Sequence, residues 1–501
     1  MGCMQATRMR GAICAVPAFL ILLSVGLLSA ASGEPRGEPS SLERKIQAIL
    51  KDSSLKKASV GIDVVALDTG EHVYSLRKDE PFVVASNMKL VTTAAALDLL
   101  GPDFKFRTSV YRLGPVEPST GVLSGGLVIR GVGDPNISGR FFNDDLYAVP
   151  NAWAAAIKKL GVQEIRGDIV ADDTLFDRTY VCPGWPPNQR DHWYEAEVCA
   201  LSYNDNCLNV TIGPGRSAGD PAVVTLKPDT SYVIVTRNCV TTGSRKEHAI
   251  VLARKPGTNE ILVGGRCWIG SSPLEDFITI HNPALYLATV FKEALERAGI
   301  KVVGAVRLAD KPMKEVETSE NEVASFGSWL AGTIAVANKR SQNFYAEQLF
   351  KTLGALKGGV GSFESGSGAV RDFLNRLDGE GKSFVVTDGS GLSKTNRLTP
   401  ALMTALLRHM YEHQFRNAFL GSLAVPCEEG SLEKRFKDEP YRSAVIAKTG
   451  YVAGASCLSG YAATRKGRML AFAIFMNRFN AGNPHMHALQ DRICRALVDM
   501  E

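Results

Sequence analysis

Several features typical of other protein classes are missing from this sequence of 501 residues. No C-x-x-C pair occurs, which argues against the common zinc-binding motifs. None of the eight histidines lies in a catalytic motif, so neither a metal site nor a serine-histidine-aspartate triad is predicted. The net charge is only +5 and no run of lysine or arginine occurs, so the strongly basic face of a nucleic-acid-binding protein is excluded.

One histidine pair has a spacing that can hold a metal ion. His409 and His413 lie four residues apart on a predicted helix, which places both rings on one face. Glu412 does not occupy the second position of an H-E-x-x-H motif, so we interpret the pair as surface residues.

The chain contains a single long apolar stretch, and it lies at the N-terminus. Arg8 and Arg10 precede an apolar run over residues 12–28, and small residues follow it at 29–31. This pattern predicts a signal peptide over residues 1–31. A permanent N-terminal anchor is the alternative, because the run is nearly long enough to span a bilayer. We therefore expect an exported protein with peripheral or no membrane association.

Cysteine usage fits an oxidising compartment. Five of the ten cysteines are close together in the middle of the chain: Cys182, Cys199, Cys207, Cys239 and Cys267. In an exported protein we expect at least one disulfide among them, although spacing alone leaves the connectivity open.

A serine and a lysine stand at the head of the most helix-prone apolar run. Ser86 and Lys89 are three residues apart and precede residues 90–100, which are rich in leucine and alanine. On a helix this spacing brings the lysine amine towards the serine hydroxyl. An amine that has lost its proton can then activate the serine as a nucleophile.

Two further motifs accompany this pair. Ser341-Gln342-Asn343 and Lys448-Thr449-Gly450 complete the S-x-x-K, S-x-N and K-T-G set of penicillin-interacting serine enzymes. The chain resembles the low-molecular-mass class C penicillin-binding proteins in the order and the sequence context of these motifs. These proteins are D-Ala-D-Ala carboxypeptidases and endopeptidases of the cell wall. Segments 131–135, 200–206 and 388–393 add to the resemblance. The resemblance covers nearly everything after the N-terminus.

The resemblance implies an α+β fold, with a serine β-lactamase/DD-peptidase-like catalytic domain in which helices flank an antiparallel sheet. Ser86 and Ser341 are 255 positions apart by subtraction, and the sequence between them consists largely of short alternating strands with turns. We therefore predict a large, mostly β insertion. The predicted division is residues 40–108 and 281–501 for the catalytic domain and 109–280 for inserted β-rich domains, two of them nested. The Gly/Ser-rich segment 358–368 is predicted to be a loop.

The chemistry requires that Lys89 be neutral near pH 7. Lowering its pKa from about 10.4 to near 7 takes about 4 kcal/mol. A second cation about 5 Å away contributes roughly 3 kcal/mol at an effective dielectric near 20. We expect Lys448 to supply that charge and partial burial to supply the rest.

The other roles are those that the resemblance implies. Ser341 relays a proton to the departing D-alanine, and Asn343 holds the substrate amide. Lys448 and Thr449 of the Lys448-Thr449-Gly450 motif receive the terminal carboxylate. The backbone N–H groups of Ser86 and Tyr451 bind the oxyanion. No metal or organic cofactor is implied. Peptidoglycan stem peptides are the implied substrates, penicillins the implied covalent inhibitors, and the periplasm or cell-wall space the implied location.

Two further residues bear on substrate recognition. Asp173, in the inserted region, aligns loosely with a carboxylate that in relatives faces the free amine of the peptide side chain; a turn-capping aspartate is the alternative. Tyr451 departs from the family, because most relatives have threonine or serine after Lys-Thr-Gly.

Two other functions remain open from the sequence. A β-lactamase shares the motifs, although the long insertion favours a peptidase. A non-catalytic wall-binding protein is the second alternative, and the intact Ser86 and Lys89 argue against it.

Overall fold

The computed structural model describes residues 40–378 and 384–500, so the predicted signal peptide lies outside the described residues. The helices in chain order are α1 Ser41–Leu50, α2 Met88–Leu100, α3 Ala148–Lys159, α4 Pro283–Arg297, α5 Leu330–Lys339, α6 Asn343–Gly358, α7 Phe363–Asp378, α8 Pro400–Glu412, α9 Arg416–Ser422, α10 Tyr441–Ala444 and α11 Asn483–Val498. The strands are β1 Ser59–Ala66, β2 His72–Leu76, β3 Lys105–Arg112, β4 Val116–Glu117, β5 Val122–Leu123, β6 Leu127–Arg130, β7 Glu164–Ile165, β8 Ile169–Asp172, β9 Cys207–Gly213, β10 Val223–Lys227, β11 Ile234–Arg237, β12 Val240–Thr242, β13 Ala249–Arg254, β14 Glu260–Trp268, β15 Leu274–Thr279, β16 Lys301–Val302, β17 Val306–Leu308, β18 Glu322–Trp329, β19 Val445–Val452, β20 Ala455–Ala463 and β21 Met469–Asn477.

Strands from both ends of the chain share one antiparallel sheet, in the order β19-β20-β21-β1-β2. Ile62 on β1 pairs with Ile474 on β21, and both are wholly buried. Both faces of this sheet are buried, which explains why β21 reads as a nearly continuous apolar run and does not alternate. Helices α1 and α11 pack on one another, α11 contacts β20, and α8 contacts β1 and β21. The predicted α+β class, with an antiparallel sheet flanked by helices, is confirmed.

Helix α2 is the centre of the catalytic region. Its residues 88–97 are all buried, and α5, α6 and α7 pack around it. A helix that is apolar on every side can be stable only when other elements surround it. Its alanines and leucines therefore serve burial on all sides, and its N-terminal end is held in a fixed position.

The inserted region is mostly β and has its own core. Its largest sheet has the order β17-β8-β6-β3-β18, and smaller sheets contain β9, β10 and β15 or β11 to β14. Helix α4 packs on α3 and β8. Strands β17 and β18, which follow residue 280 in the chain, share a sheet with β6 and β8. The boundaries of the inserted domains stay a prediction. Sequence reasoning missed β18.

The segment predicted to be a glycine-rich loop is partly helical, because α7 begins at Phe363. A Cβ atom added to Gly366 would lie 2.6 Å from the carbonyl oxygen of Phe350 on α6. An added Cβ on Gly354 would lie equally close to the backbone of α7, at 2.6 Å from the Gly366 nitrogen. These glycines therefore allow two helices to pack closely, a use that composition alone does not distinguish from a loop.

The structure also bears on the cysteines and the membrane. All eight cysteines of the described residues are free, so the expected disulfide is not present. Burial raises the pKa of the Cys199 and Cys207 thiols well above the usual value, which makes them inert apolar side chains.

No helix within residues 40–378 and 384–500 is long and apolar enough to span a bilayer.

Candidate active site

Ser86 and Lys89 stand at the junction of a short 3-10 turn, residues 85–87, with α2. Nζ of Lys89 lies 3.0 Å from Oγ of Ser86, as the spacing predicts. The lysine is wholly buried. Its Nζ also lies 2.7 Å from Oδ1 of Asn343 and 2.8 Å from the carbonyl oxygen of Ser390. Three oxygen atoms therefore surround the amine.

The turn that carries Ser86 is held by close backbone contacts. Ala85 has a φ of 47°, in the left-handed region that costs a non-glycine residue energy. An added Cβ on Gly450 would lie 3.0 Å from the backbone nitrogen of Ser86, so β19 approaches the turn too closely for a side chain. Asn87 joins the turn to the sheet, because its Nδ2 donates to the Lys448 carbonyl at 2.9 Å.

Ser341 and Asn343 come from the connection between α5 and α6. Ser341 has a φ of 58°, and Asn343 is the first residue of α6. Nδ2 of Asn343 donates to the carbonyl oxygen of Tyr194 at 2.8 Å, while its Oδ1 faces Lys89. This amide therefore connects the base to the wall of the inserted region.

Lys448 projects from the sheet and faces Ser341. Its Nζ lies 2.7 Å from Oγ of Ser341 and donates to the Thr449 carbonyl at 2.7 Å. The structure thus brings together all five residues predicted to be catalytic: Ser86, Lys89, Ser341, Asn343 and Lys448.

The two lysines have pKa values far below that of a solvated lysine, and burial is the main cause. Burial lowers the pKa of Lys89 to about 7, against the opposing charges of Glu347 and Asp388. Burial also lowers the pKa of Lys448 well below its usual value, with the charge of Lys89 as the second cause. The expectation that Lys448 supplies most of the shift of Lys89 is therefore wrong. Desolvation of the wholly buried amine supplies it.

Sequence reasoning missed two buried carboxyl groups beside Lys89, namely Glu347 on α6 and Asp388 in the loop before residue 393. Both are wholly buried, and burial raises the pKa of each. The sequence did contain a signal for both residues. Glu347 lies six positions after Ser341, and Asp388 opens segment 388–393, which contributes to the family resemblance.

A cleft of about 450 Å³ opens above these groups. Its lining residues come from the catalytic motifs, from the inserted region and from β19: Ser86, Pro186, Gln189, Trp193, Tyr194, Arg340, Ser341, Asn343, Leu392, Lys394, Tyr451, Val452 and Ala453. Of the residues predicted to bind substrate, Tyr451 lines this cleft with half of its surface exposed, and Thr449 and Gly450 precede it on β19. The aromatic wall from the inserted region, Trp193 and Tyr194, was not predicted.

Asp173 does not line the cleft. Its side chain is buried, and its carboxylate accepts hydrogen bonds from Nη2 of Arg178 at 2.8 Å and from the hydroxyl of Tyr180 at 3.3 Å. A buried carboxylate needs such partners, so Asp173 is already neutralised within the protein.

His409 and His413 also differ from the expectation of a surface pair. Both rings approach Asp98 of α2, and the side chain of His413 is only 12% exposed. Nδ1 of His413 accepts the backbone N–H of Phe415 at 3.2 Å. One ligand atom from each of Asp98, His409 and His413 lies within 4.8 Å of the others, so the three side chains form a cluster that could hold a metal ion.

Comparison with known sequence families agrees with the geometry of the cleft. Residues 42–497 match the model of the family described as D-Ala-D-Ala carboxypeptidase 3 (S13). The chain is 33% identical over 475 residues to a D-alanyl-D-alanine carboxypeptidase of Actinomadura sp. strain R39, covering 91% of this chain and 84% of that protein. It is 24% identical over 402 residues to the D-alanyl-D-alanine carboxypeptidase DacB of Haemophilus influenzae, covering 80% and 81%.

Solved structures show the same fold. The crystal structure of penicillin-binding protein 4 from Haemophilus influenzae matches with a TM-score of 0.77 at 22% identity, covering 90% of this chain and 98% of that one. A second structure of that protein, complexed with a novel β-lactam, matches with a TM-score of 0.71.

Proposed function

The chain belongs to the D-Ala-D-Ala carboxypeptidase 3 (S13) family and is a serine-type D-Ala-D-Ala carboxypeptidase, and we propose that it acts through an acyl-enzyme on Ser86, with Lys89 as the base. The resemblance found in the motifs and the family membership agree. The sequence left two alternatives open, a β-lactamase and a non-catalytic wall-binding protein. The relative with 33% identity is a D-alanyl-D-alanine carboxypeptidase and supports neither alternative.

The single observation that carries the proposal is the environment of the Lys89 amine. A neutral amine has two hydrogens and one lone pair. Oδ1 of Asn343 and the carbonyl of Ser390 accept the two hydrogens, at 2.7 and 2.8 Å. The lone pair is then left for the hydroxyl hydrogen of Ser86, 3.0 Å away between heavy atoms. With a pKa of about 7, a large share of this amine is neutral near pH 7.

Acylation then proceeds by transfer of the Ser86 proton to Lys89 as Oγ attacks the carbonyl of the penultimate D-alanine. The backbone N–H groups of Ser86 and Tyr451 stabilise the oxyanion, and each such donor is typically worth about 3–4 kcal/mol. The approach of β19 to the Ser86 turn at Gly450 supports this pairing.

The C–N bond breaks when the leaving nitrogen receives a proton. Ser341 donates it from Oγ and regains a proton through Nζ of Lys448, 2.7 Å away. Lys448 passes on the proton that Lys89 took from Ser86, so both amines end the step as they began. Water then hydrolyses the ester and returns free Ser86. Asn343 holds the substrate amide, and Thr449 binds the terminal carboxylate beside Lys448. Asp173 has no part in this scheme.

The proposal extends to substrate, inhibitors and location. Peptidoglycan stem peptides that end in D-Ala-D-Ala are the substrates, and crosslinks are a second substrate class. β-Lactams acylate the same serine, which is in keeping with the β-lactam complex of the Haemophilus influenzae protein. No cofactor takes part in any step. The N-terminal pattern over residues 1–31 supports export to the periplasm or cell-wall space.

The test combines an adduct and a product. Incubation with a penicillin should add one penicilloyl group to the wild type, visible by intact mass, and peptide mapping should locate it on Ser86. Incubation with a D-Ala-D-Ala-terminated muropeptide should release D-alanine. Ser86→Ala should show neither. An equal adduct on the alanine variant would refute the assignment of the nucleophile.

A further inference from the structure

One of the buried carboxyl groups is connected to the base through a single residue. Glu347 lies on α6, one turn after Asn343, and is wholly buried. Its two carboxylate oxygens accept the backbone N–H of Ser390 at 2.7 Å and that of Gly389 at 2.9 Å. The carbonyl of Ser390 in turn accepts a hydrogen bond from Nζ of Lys89 at 2.8 Å. Glu347 thus holds the backbone of the residue whose carbonyl oxygen binds the amine.

The neighbouring carboxyl group has a different environment. Asp388 accepts hydrogen bonds from the backbone N–H of Gly391 and Ser393, from Nε1 of Trp185 and from Nδ2 of Asn396, at 2.6 to 2.8 Å. Four donors favour the ionised form of Asp388. Burial and the negative charge of Asp388 raise the pKa of Glu347, and the hydrogen bonds from the Gly389 and Ser390 backbone oppose the rise.

Two backbone N–H donors likewise favour the ionised form of Glu347. The groups that face Lys89 are Glu347 on α6, Asp388 in the adjoining loop and Lys448 on β19. Of these, Glu347 contributes the larger attraction that opposes loss of the Lys89 proton, and Asp388 the smaller. Glu347 also influences Lys351 on its own helix, and both carboxyl groups influence the Cys182 thiol. These last two groups make no contact with Ser86 or Lys89.

Resting on the proposed function, we propose that Glu347 is a positioning residue for the Lys89 base: it fixes the Ser390 carbonyl against Nζ, and its negative charge opposes loss of the Lys89 proton. The fixed carbonyl leaves the lone pair of the amine directed at Ser86. The charge keeps the amine basic enough to take the serine proton, since a base works best when its pKa lies near the working pH. Without this charge, the buried amine would be neutral but too weak.

The test is the pH dependence of β-lactam acylation in Glu347→Gln. Glutamine has one acceptor oxygen, so only one of the two N–H groups keeps its partner. The loss of an opposite charge a few ångströms away shifts a pKa by about one unit or more. The acid limb of the second-order acylation constant should therefore move to lower pH by about one unit or more. The plateau should fall about tenfold or more, because the weakened base takes the proton less readily.

Gln348→Leu is the matched control. Gln348 is the next residue on the same helix and is also wholly buried, but its Nε2 donates to the Cys199 carbonyl and to Ser202 Oγ. This variant should lose stability and keep the acid limb of the wild type. An acid limb of Glu347→Gln at the wild-type position, with or without a lower plateau, would overturn the inference. An equal shift of the acid limb in the control would overturn it as well.

Glu347→Asp decides the question if the glutamine variant does not fold. Aspartate keeps the charge but is one methylene too short to hold both N–H groups, so the acid limb should stay and the plateau should fall about tenfold. A plateau equal to that of the wild type would overturn the inference. A wild type that acquires no adduct on Ser86 would instead refute the proposed function, and this inference with it.

Discussion

Nζ of Lys448 lies 2.7 Å from Oγ of Ser341, although the two residues are 107 positions apart in the chain. Burial, together with the charge of Lys89, lowers the pKa of this amine well below its usual value. A hydroxyl beside such an amine can give its proton to a leaving group and regain one through the amine. The pair therefore suits the protonation of a leaving nitrogen.

The first prediction concerns this pair. Lys448→Met keeps the length of the side chain but removes the amine through which Ser341 regains a proton. We expect acylation by D-Ala-D-Ala peptides to fall about a hundredfold or more, the usual size of a lost acid-base contribution. Lys437→Met, at an exposed position, is the control and should leave the rate unchanged. A Lys448→Met rate within threefold of the wild type, in stopped-flow measurements, would contradict the relay.

The second prediction concerns stability. The pKa of Lys89 is about 7 in the folded protein and about 10.4 in the unfolded chain, so between these values the unfolded chain binds a proton that the folded protein lacks. The free energy of unfolding of the wild type therefore rises with pH over this window, because the extra proton bound by the unfolded chain stabilises that chain less as the pH increases. Lys89→Met should remove this dependence, raise the free energy of unfolding at pH 7.5 by about 1–4 kcal/mol and abolish acylation. Denaturant titration at pH 7.5 and 9.5 measures the free energy of unfolding of the wild type and of the variant. A variant less stable than the wild type would contradict the prediction.

The third prediction is the pH profile of the wild type. Below a pH of about 7, Lys89 is protonated and has no lone pair for the Ser86 proton. The acylation constant should then fall about tenfold for each further pH unit. Measurement between pH 5 and 9 with a chromogenic β-lactam checks this. A flat profile down to pH 5 would mean that Lys89 is not the base.

The fourth prediction uses the close approach of the sheet to the nucleophile. Gly450→Ala places a methyl group 3.0 Å from the Ser86 nitrogen and from the Val84 carbonyl, so the turn must shift by a few tenths of an ångström. Misplacing a nucleophile by such distances is expected to lower acylation by about tenfold or more. Gly421→Ala, on α9 with no atom within 4 Å of the new methyl group, should behave as the wild type. Equal rates in both variants would show that the turn tolerates the methyl group.

The fifth prediction concerns the departure from the family at Tyr451. Its side chain is half exposed in the cleft. The family resemblance implies a short hydroxyl at this position. A restored hydroxyl in Tyr451→Thr can add one charge-assisted hydrogen bond to the substrate carboxylate, worth roughly 1.5–3 kcal/mol. KM for D-Ala-D-Ala peptides should fall by about ten- to a hundredfold, while penicillin acylation persists in both forms. An unchanged KM would mean that Tyr451 only packs.

Sequence alone determined the parts of this protein that depend on local geometry. The contact between Ser86 and Lys89 follows from a three-residue spacing on a helix, which any helix fixes. The strands β1, β19, β20 and β21 and the helices α2, α8 and α11 were likewise predictable, because their apolar runs and breakers are local signals. The motifs in their order indicated the family and the fold.

Only the tertiary structure decided what surrounds the amine of Lys89. Its other partners, Asn343 and Ser390, are 254 and 301 positions away, and the carboxyl groups of Glu347 and Asp388 reach it through packing. No spacing rule encodes such contacts, since they depend on how whole layers pack. For the same reason the sequence attributed the low pKa of Lys89 to a second cation. The desolvation that lowers that pKa exists only once α2 is enclosed on every side.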